Sequence, residues 1–238
     1  GRVHHGAPLA EALPREMADA ARVVLVTTRS LAGGALVAAA RDAIGDRLAG
    51  VFATMHAHSP IQAVLALAAL LREQEADLVV ALGGGSVIDG SKVACLAVWR
   101  GIAEAGSLIA AAASRGAAPG AWDGSAPAPR IVAIPTTLSA AEFAPHAGYT
   151  DLAAGTKYRA LDPWMVPRAV ILDPAATLET PAALLLSSGI RALDHAAERW
   201  CALEPQPFSD AVSRQAMVML AENLPRVHRH PGDLAARG

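Results

Sequence analysis

The chain has 238 residues, a length that fits one large domain or two smaller ones. Its 20 basic and 22 acidic side chains nearly cancel, so no positive field favours nucleic acid or an anionic membrane surface, and we expect neither as a partner. Apolar residues make up 53 %, but no uncharged apolar run reaches the roughly 20 residues of a membrane span. The N-terminus also lacks the apolar core of a secretory signal, so we expect a cytoplasmic globular protein.

Apolar runs of strand length alternate with helical periods along the first 174 residues. Strands are predicted at 22–28, 51–54, 78–82, 131–134 and 169–173. Helices are predicted over 31–44, from Ser59 and Pro60 onward with Ser59 as the cap, and after the glycines at 83–85. This alternation predicts a parallel sheet with right-handed crossovers and helices on both faces.

Two segments of this half depart from the alternation. Residues 99–130 predict a surface connection with one short helix near Leu108. Residues 148–150 and 157–159 flank a turn at 153–155 and predict a β-hairpin.

The pattern changes after Pro174. Two long helical patterns, 181–203 and 208–224, follow with no strand signal between them. We therefore predict an α/β domain over 1–174 and a helical domain over 175–238. Two helices are few for an independent bundle, so we expect them to pack on the α/β domain or to belong to an incomplete domain. Cys95 and Cys201 both fall in predicted helices and are expected to be buried thiols.

The glycine triplet Gly83-Gly84-Gly85 lies between a buried apolar run and a helical period. Glycines allow close approach of the backbone, and the first amides of a helix are unsatisfied donors that suit phosphate. The triplet is open to two interpretations at this point, a nucleotide pyrophosphate site and a tight turn without a ligand. The hydroxyls of Thr136 and Thr137 follow another predicted strand, at the sheet edge where α/β proteins bind ligands.

Four stretches together resemble the iron-containing alcohol dehydrogenase superfamily, with the nearest likeness to its maleylacetate reductase branch. They are residues 83–89 (GGGSVID), 134–143 (IPTTLSAAEF), 172–174 (LDP) and 189–198 (GIRALDHAAE). The resemblance implies a dehydroquinate synthase-like architecture, with a Rossmann-like nucleotide-binding domain before an all-helical domain that here looks truncated. It also implies a cleft between the domains in which a nicotinamide cofactor, NADH or NADPH, meets a small substrate.

The resemblance assigns cofactor roles to particular residues. Gly83, Gly84, Gly85 and Ser86 would hold the pyrophosphate, with Asp89 ordering the turn. Thr136, Thr137, Leu138 and Ser139 would line the cofactor cleft, and Lys157 would lie near the cofactor.

The chain departs from the family pattern at the end of the first predicted strand. Many relatives place an aspartate there to bind the adenosine ribose, whereas this chain has Thr28 followed by Arg29. A missing carboxylate removes repulsion against a 2′-phosphate, and Arg29 could pair with one, so we expect NADPH to be accepted alongside NADH.

A second departure concerns metal binding. Relatives that bind iron or zinc use Asp-x-x-x-His on one helix, and here His195 is present while Arg191 occupies the aspartate position. Asp194 points about 100° away around the helix, and His228 and His230 lie too close together to replace the missing ligands. The remaining ligands of the family would fall past Gly238, outside this sequence, and from the residues present we expect no metal.

Without a metal, two side chains of this helix are the candidate catalytic residues. His195 could supply a proton, or it could only be hydrogen-bonded at the domain interface. Arg191 could bind a substrate carboxylate, or it could form a salt bridge with Glu198 or Glu142.

The function predicted on this basis is a maleylacetate reductase-like oxidoreductase that transfers hydride to a small carboxylated, unsaturated or carbonyl substrate, in the breakdown of aromatic compounds. Two alternatives stay open: a metal-dependent alcohol or polyol dehydrogenase, and a nucleotide-binding protein without catalysis. A homodimer is expected.

Overall fold

The computed structural model describes residues 1–113 and 126–238. The strands are β1 (Arg2–His5), β2 (Val23–Val26), β3 (Leu48–Phe52), β4 (Leu78–Gly83), β5 (Arg130–Pro135), β6 (His146–Asp151), β7 (Thr156–Leu161) and β8 (Ala169–Leu172). The helices are α1 (Leu9–Glu16), α2 (Ala35–Ile44), α3 (Ile61–Glu73), α4 (Gly85–Trp99), α5 (Ala105–Ala113), α6 (Ala182–Trp200), α7 (Pro207–Arg229) and α8 (Leu234–Arg237).

A six-stranded sheet of parallel strands organises the first part of the chain. Its strand order is β1-β8-β5-β4-β2-β3, and every neighbouring pair is parallel. Alternate residues of β2 face opposite layers: Val24 and Val26 pack with α3 and α4, whereas Val23 and Leu25 pack with α1 and α2. The predicted parallel sheet with helices on both faces, followed by a helical segment, is therefore confirmed.

The hairpin of β6 and β7 and the helix near Leu108 are also confirmed. Tyr149 anchors the hairpin, because its buried hydroxyl donates to the Leu108 carbonyl oxygen at 2.7 Å. The part of the predicted connection that covers residues 114–125 lies outside the described residues.

Several local predictions were wrong. Helix α2 begins at Ala35 rather than at residue 31, because turns occupy the segment after Thr28. Ser59 does not cap α3; it has a positive φ of 48°, and its hydroxyl donates instead to the Ser86 carbonyl oxygen at 2.9 Å. Cys95 is buried as expected, but Cys201 follows α6 and is exposed.

The first strand and helix were missed from the sequence. β1 is short, polar and largely exposed, and it pairs with β8, which lies more than 160 residues later in the chain. Glu16 of α1 fixes it by accepting hydrogen bonds from Arg2 and pairing with His4. An edge strand of this kind carries no apolar alternation that a sequence pattern could reveal.

The helices after Pro174 contact the loops that follow the sheet strands. The Thr180 hydroxyl donates to the Thr136 carbonyl oxygen at 2.8 Å, and the Leu138 amide donates to the Ser188 hydroxyl at 3.0 Å. Glu179 accepts a hydrogen bond of 2.7 Å from the Leu36 amide at the start of α2. Within the described residues, no helix is long and apolar enough to cross a membrane. The division into domains at residue 175 stays a prediction.

Candidate active site

The turn from β4 to α4 is the centre of the candidate site. β4 ends at Gly83 and α4 begins at Gly85, while Gly84, Gly85 and Ser86 are only partly buried. The amides of Val87 and Ile88 both donate to the Gly84 carbonyl oxygen, at 2.9 and 3.2 Å. The amides of Gly85 and Ser86 precede them, where a helix offers no intrahelical acceptor and carries partial positive charge. This helix start therefore has the geometry of an anion site.

Two of the glycines pack closely against the loop after β5. A Cβ at Gly84 would lie 3.0 Å from Thr137 Cγ2, and one at Gly85 would lie 3.0 Å from Ser139 Oγ. The glycine turn after β4 and the loop after β5 are far apart in sequence, but they touch in the fold because β4 and β5 are neighbouring strands.

The loop after β5 also joins the sheet to α6. The Thr136 amide donates to the Gly83 carbonyl oxygen at 3.0 Å, and the Thr136 side chain is buried. Leu138 is held by the Ser188 hydroxyl of α6. Thr136 is thus a structural link between motifs, while Thr137 and Leu138 line a cavity described below.

Asp89 and Lys157 meet beside the start of α4. Asp89 Oδ2 accepts a hydrogen bond of 3.1 Å from the Gly148 amide of β6. The Lys157 side chain crosses over Gly148, with Cε 2.9 Å from the position that a Cβ would take there. Burial raises the pKa of Asp89, and the nearby Lys92 and Lys157 oppose that shift. The hairpin therefore brings an exposed ammonium close to the predicted pyrophosphate site.

Thr28 and Arg29 follow β2, which is the neighbour of β4 on the other side. Thr28 Oγ1 lies 2.9 Å from Ser30 Oγ, and Arg29 is exposed. The two residues therefore lie at the same sheet edge as the glycine turn.

A contact that the sequence did not indicate fixes the Ser86 hydroxyl. The His58 amide donates to Ser86 Oγ at 2.9 Å, so the loop after β3 rests on the start of α4. The hydroxyl oxygen is thus fixed as an acceptor, while its O–H and the Ser86 amide are both donors that a ligand could use.

Arg191 and His195 lie on the face of α6 that also carries Ser188, since positions three and seven residues apart share one side of a helix. Arg191 Nε donates a hydrogen bond to His195 Nε2 at 3.1 Å, and both side chains are exposed. Because Ser188 contacts the loop after β5, this face is directed to the same side as the loops that follow β4 and β5. In the described residues, Arg191 forms no salt bridge with Glu198 or Glu142.

A cavity of about 270 Å³ lies between the carboxyl ends of β5 and β8 and the helices α6 and α7. Its lining includes Thr137, Leu138, Glu142, Phe143, Asp173 and Ala192. A second cavity, of about 470 Å³, shares Leu138 and Phe143 with it and continues along α7. Glu142 was considered from the sequence only as a salt-bridge partner, because nothing in its local pattern shows that the chain turns it inward.

The comparisons with known proteins agree with this architecture. Residues 1–174 match the family described as "Iron-containing alcohol dehydrogenase", and residues 185–238 match "Fe-containing alcohol dehydrogenase family, C-terminal". The chain therefore belongs to the iron-containing alcohol dehydrogenase family.

Particular relatives place it near one branch of that family. The chain is 32 % identical over 217 residues to maleylacetate reductase of Sphingobium indicum, covering 91 % of this chain and 52 % of that protein. It is 34 % identical over 182 residues to Dehydrogenase FUM7 of Gibberella moniliformis, covering 74 % of this chain and 43 % of the relative. The crystal structure of maleylacetate reductase from Agrobacterium tumefaciens superposes with a TM-score of 0.78 at 28 % identity, over 100 % of this chain and 59 % of the other. The chain thus spans about half the length of the relatives it matches.

The name of the family specifies iron, a metal that proteins hold through groups of His, Cys, Asp or Glu side chains. In residues 1–113 and 126–238, no three His, Cys, Asp or Glu side chains come together as a metal-binding group. Arg191 also directs a guanidinium N–H at the His195 nitrogen that would otherwise be a ligand. The described residues therefore do not fit a divalent metal. The family name, in contrast, points to iron. The absence of a metal stays a prediction.

Proposed function

We propose that the chain provides the nucleotide-binding part of a nicotinamide-dependent oxidoreductase that reduces a small carboxylated substrate. The observation that carries the proposal is the start of α4. The Gly85 and Ser86 amides have no intrahelical acceptor there, Gly84 and Gly85 pack against Thr137 and Ser139, and Lys157 lies near Asp89 of the same helix. This arrangement fits a pyrophosphate, which the helix start and the ammonium would hold. The bound nicotinamide would supply the hydride.

The substrate class follows from Arg191. Its planar guanidinium can hold a carboxylate with two parallel hydrogen bonds, and the pairing with His195 keeps one edge of the group oriented. An unsaturated or carbonyl dicarboxylate such as maleylacetate, with 3-oxoadipate as product, suits this group. The similarity to maleylacetate reductase of Sphingobium indicum supports the same substrate. Arg191 and His195 as catalytic residues stay a prediction, as do a homodimer and the absence of nucleic-acid and membrane partners.

The cofactor site is tested by two substitutions at one position. Ser86→Pro removes the amide N–H at a first-turn position that tolerates proline, whereas Ser86→Ala removes only the hydroxyl that His58 already engages. We expect NADH affinity, followed by its fluorescence, to fall at least tenfold in Ser86→Pro and by less in Ser86→Ala, which keeps the amide N–H. Equal affinities in both variants and the parent would contradict a pyrophosphate site here.

The reaction is tested by mixing the protein with NADH and maleylacetate and following the loss of reduced-nicotinamide absorbance. NADH binding without oxidation of any dicarboxylic enone would favour the non-catalytic nucleotide-binding alternative. The metal-dependent alcohol dehydrogenase alternative is favoured by the family itself. It would be supported by activity toward alcohols that a chelator abolishes and added Fe²⁺ or Zn²⁺ restores.

A further inference from the structure

Glu142 is a buried carboxyl group whose second oxygen has no partner. The residue is 4 % exposed, and Oε2 makes no hydrogen bond within the part of the chain that the structure describes. A buried acceptor without a partner costs free energy and is rare in folded proteins. Glu142 also lines the cavity between the sheet edge and α6, so a ligand there could contact its side chain, while Oε2 itself is closed off from solvent in this conformation.

The backbone around Glu142 is held by a buried lysine. Lys92 of α4 is 0 % exposed, and its ammonium donates to the carbonyl oxygens of Ala141, Ala144 and His146, the latter two at 2.7 and 3.3 Å. Ala140, immediately before this turn, has a left-handed φ of 55° although it is not glycine. Strain of this kind persists only where the surroundings impose it, and it is concentrated at functional sites.

Burial, and not the charges around it, favours the neutral form of the Glu142 carboxyl group. Burial raises the pKa of its carboxyl group, Lys92 opposes this shift, and Asp89 adds to it. The other titratable groups that line the cavity are His5, Asp173 and Arg237. A carboxylic acid that stays protonated toward neutral pH can donate a proton to a reacting substrate.

His195 is less well placed to give up a proton through Nε2. That nitrogen accepts the Arg191 Nε–H, so it carries no proton of its own while the contact lasts. Neither His195 nor Arg191 is among the residues that line the cavity.

We propose that Glu142 is the proton donor of the reduction, in a substrate subsite formed by the cavity beneath α6. The assignment rests on the proposed reductase function. A bound nicotinamide would supply hydride, a hydrogen with its electron pair, which would form a C–H bond on the electrophilic carbon of the substrate. The substrate atom that gains negative charge takes the proton from Glu142, and the resulting carboxylate takes one proton from water. One NADH and one proton are thereby consumed for each substrate reduced.

The kinetic test compares Glu142→Gln with Glu73→Gln, a change at an exposed position on α3. With NADH and maleylacetate, we expect kcat to fall about 100- to 10,000-fold in Glu142→Gln and to be unchanged in Glu73→Gln. The parent rate should decline as the pH rises through the pKa of Glu142, because the protonated form is active. His195→Gln should keep that decline, and the residual rate of Glu142→Gln should lack it. An unchanged rate and pH profile in Glu142→Gln would overturn the assignment while leaving the reductase function in place.

A spectroscopic measurement tests the proton-donor role of Glu142 separately from the proposed reductase function. Infrared difference spectra of the parent and Glu142→Gln are recorded with NADH bound over a range of pH. They should show that the Glu142 carboxyl stays protonated at pH values well above the usual glutamate pKa of about 4.3. If Glu142 instead loses its proton near that usual pKa, its role as proton donor is overturned even if the protein oxidises NADH. If the parent binds NADH but reduces no dicarboxylic enone, the proposed function fails and the proton-donor role fails with it. NADH affinity equal to that of the parent shows that Glu142→Gln is folded.

Discussion

Arg191 donates a hydrogen bond from Nε to His195 Nε2, across one turn of α6 and over 3.1 Å. The contact engages the imidazole nitrogen with a cation at the position where metal-binding relatives are expected to have a carboxylate. It leaves the terminal nitrogens of Arg191 available to a ligand. The pair is therefore better suited to recognising an anionic substrate than to holding a divalent cation.

Replacing Arg191 should weaken the binding of dicarboxylates. In Arg191→Leu we expect KM for maleylacetate to rise about 10- to 100-fold, the loss expected for hydrogen bonds to a charged group. NADH affinity should be unchanged, because Arg191 lies on α6 and not at the start of α4. Arg47→Leu, an exposed arginine before β3, is the matched control. A normal KM in Arg191→Leu would mean that the guanidinium does not contact the substrate.

The packing of Gly84 against Thr137 predicts a specific rescue. Gly84→Ala places a methyl group 3.0 Å from Thr137 Cγ2, and overpacking of this kind costs about 1–3 kcal/mol. We expect a lower free energy of unfolding and weaker NADH binding. Adding Thr137→Ala should restore part of both, since it removes the opposing atoms. Gly106→Ala, where a Cβ meets nothing within 4 Å, should be neutral or stabilising. Denaturant unfolding and NADH titration of the three variants give the comparison, and a failed rescue would mean that another contact limits this turn.

Arg29 should decide how well the protein accepts NADPH. It is exposed after β2, beside the glycine turn. Arg29→Leu should raise KM for NADPH on the order of tenfold and leave KM for NADH unchanged, because only the former carries a 2′-phosphate. Thr28→Asp should favour NADH further by restoring a carboxylate near the ribose. Parallel initial-rate measurements with both cofactors test this. Loss of both activities in Arg29→Leu would indicate a structural role instead.

The parts of the fold that the sequence predicted are those with a local signal. β4 is a continuous apolar run before glycines, so strand, turn and helix could be assigned without knowing their neighbours. The contact of Gly84 with Thr137 could be expected only because parallel strands end at the same edge of a sheet.

The features that were missed depend on contacts between distant segments. β1 becomes a strand by pairing with β8, and Ser59 loses its capping role because its hydroxyl bonds to Ser86. Glu142 is a further case, since a glutamate three residues after Ser139 gives no sign that Lys92 holds its turn inside the protein. Such positions are decided by tertiary packing, which overrides local propensity.

Glu16 predicts how the stability of the N-terminal segment depends on pH. Its buried carboxylate accepts from Arg2 Nε at 2.8 Å and from Arg2 Nη2 at 2.6 Å, and it pairs with His4 Nε2 at 2.8 Å. The hydrogen bonds from Arg2 hold the pKa of Glu16 below its usual value, although burial opposes the shift. A depressed carboxyl pKa stabilises the fold above the pKa of the unfolded state, about 4.3, and this stabilisation is lost as the pH falls through the folded pKa.

Glu16→Gln should therefore lower the free energy of unfolding by about 2 kcal/mol at neutral pH, the range for a hydrogen bond to a charged group. The difference from the parent should shrink as the pH is lowered below 4, where the parent carboxylate also becomes neutral. Glu11→Gln changes an exposed residue on the same helix and should have little effect at either pH. Urea unfolding of the three proteins at pH 7 and in acid measures this. If the difference in free energy of unfolding between Glu16→Gln and the parent persists in acid, the effect comes from packing and not from the charge of the carboxylate.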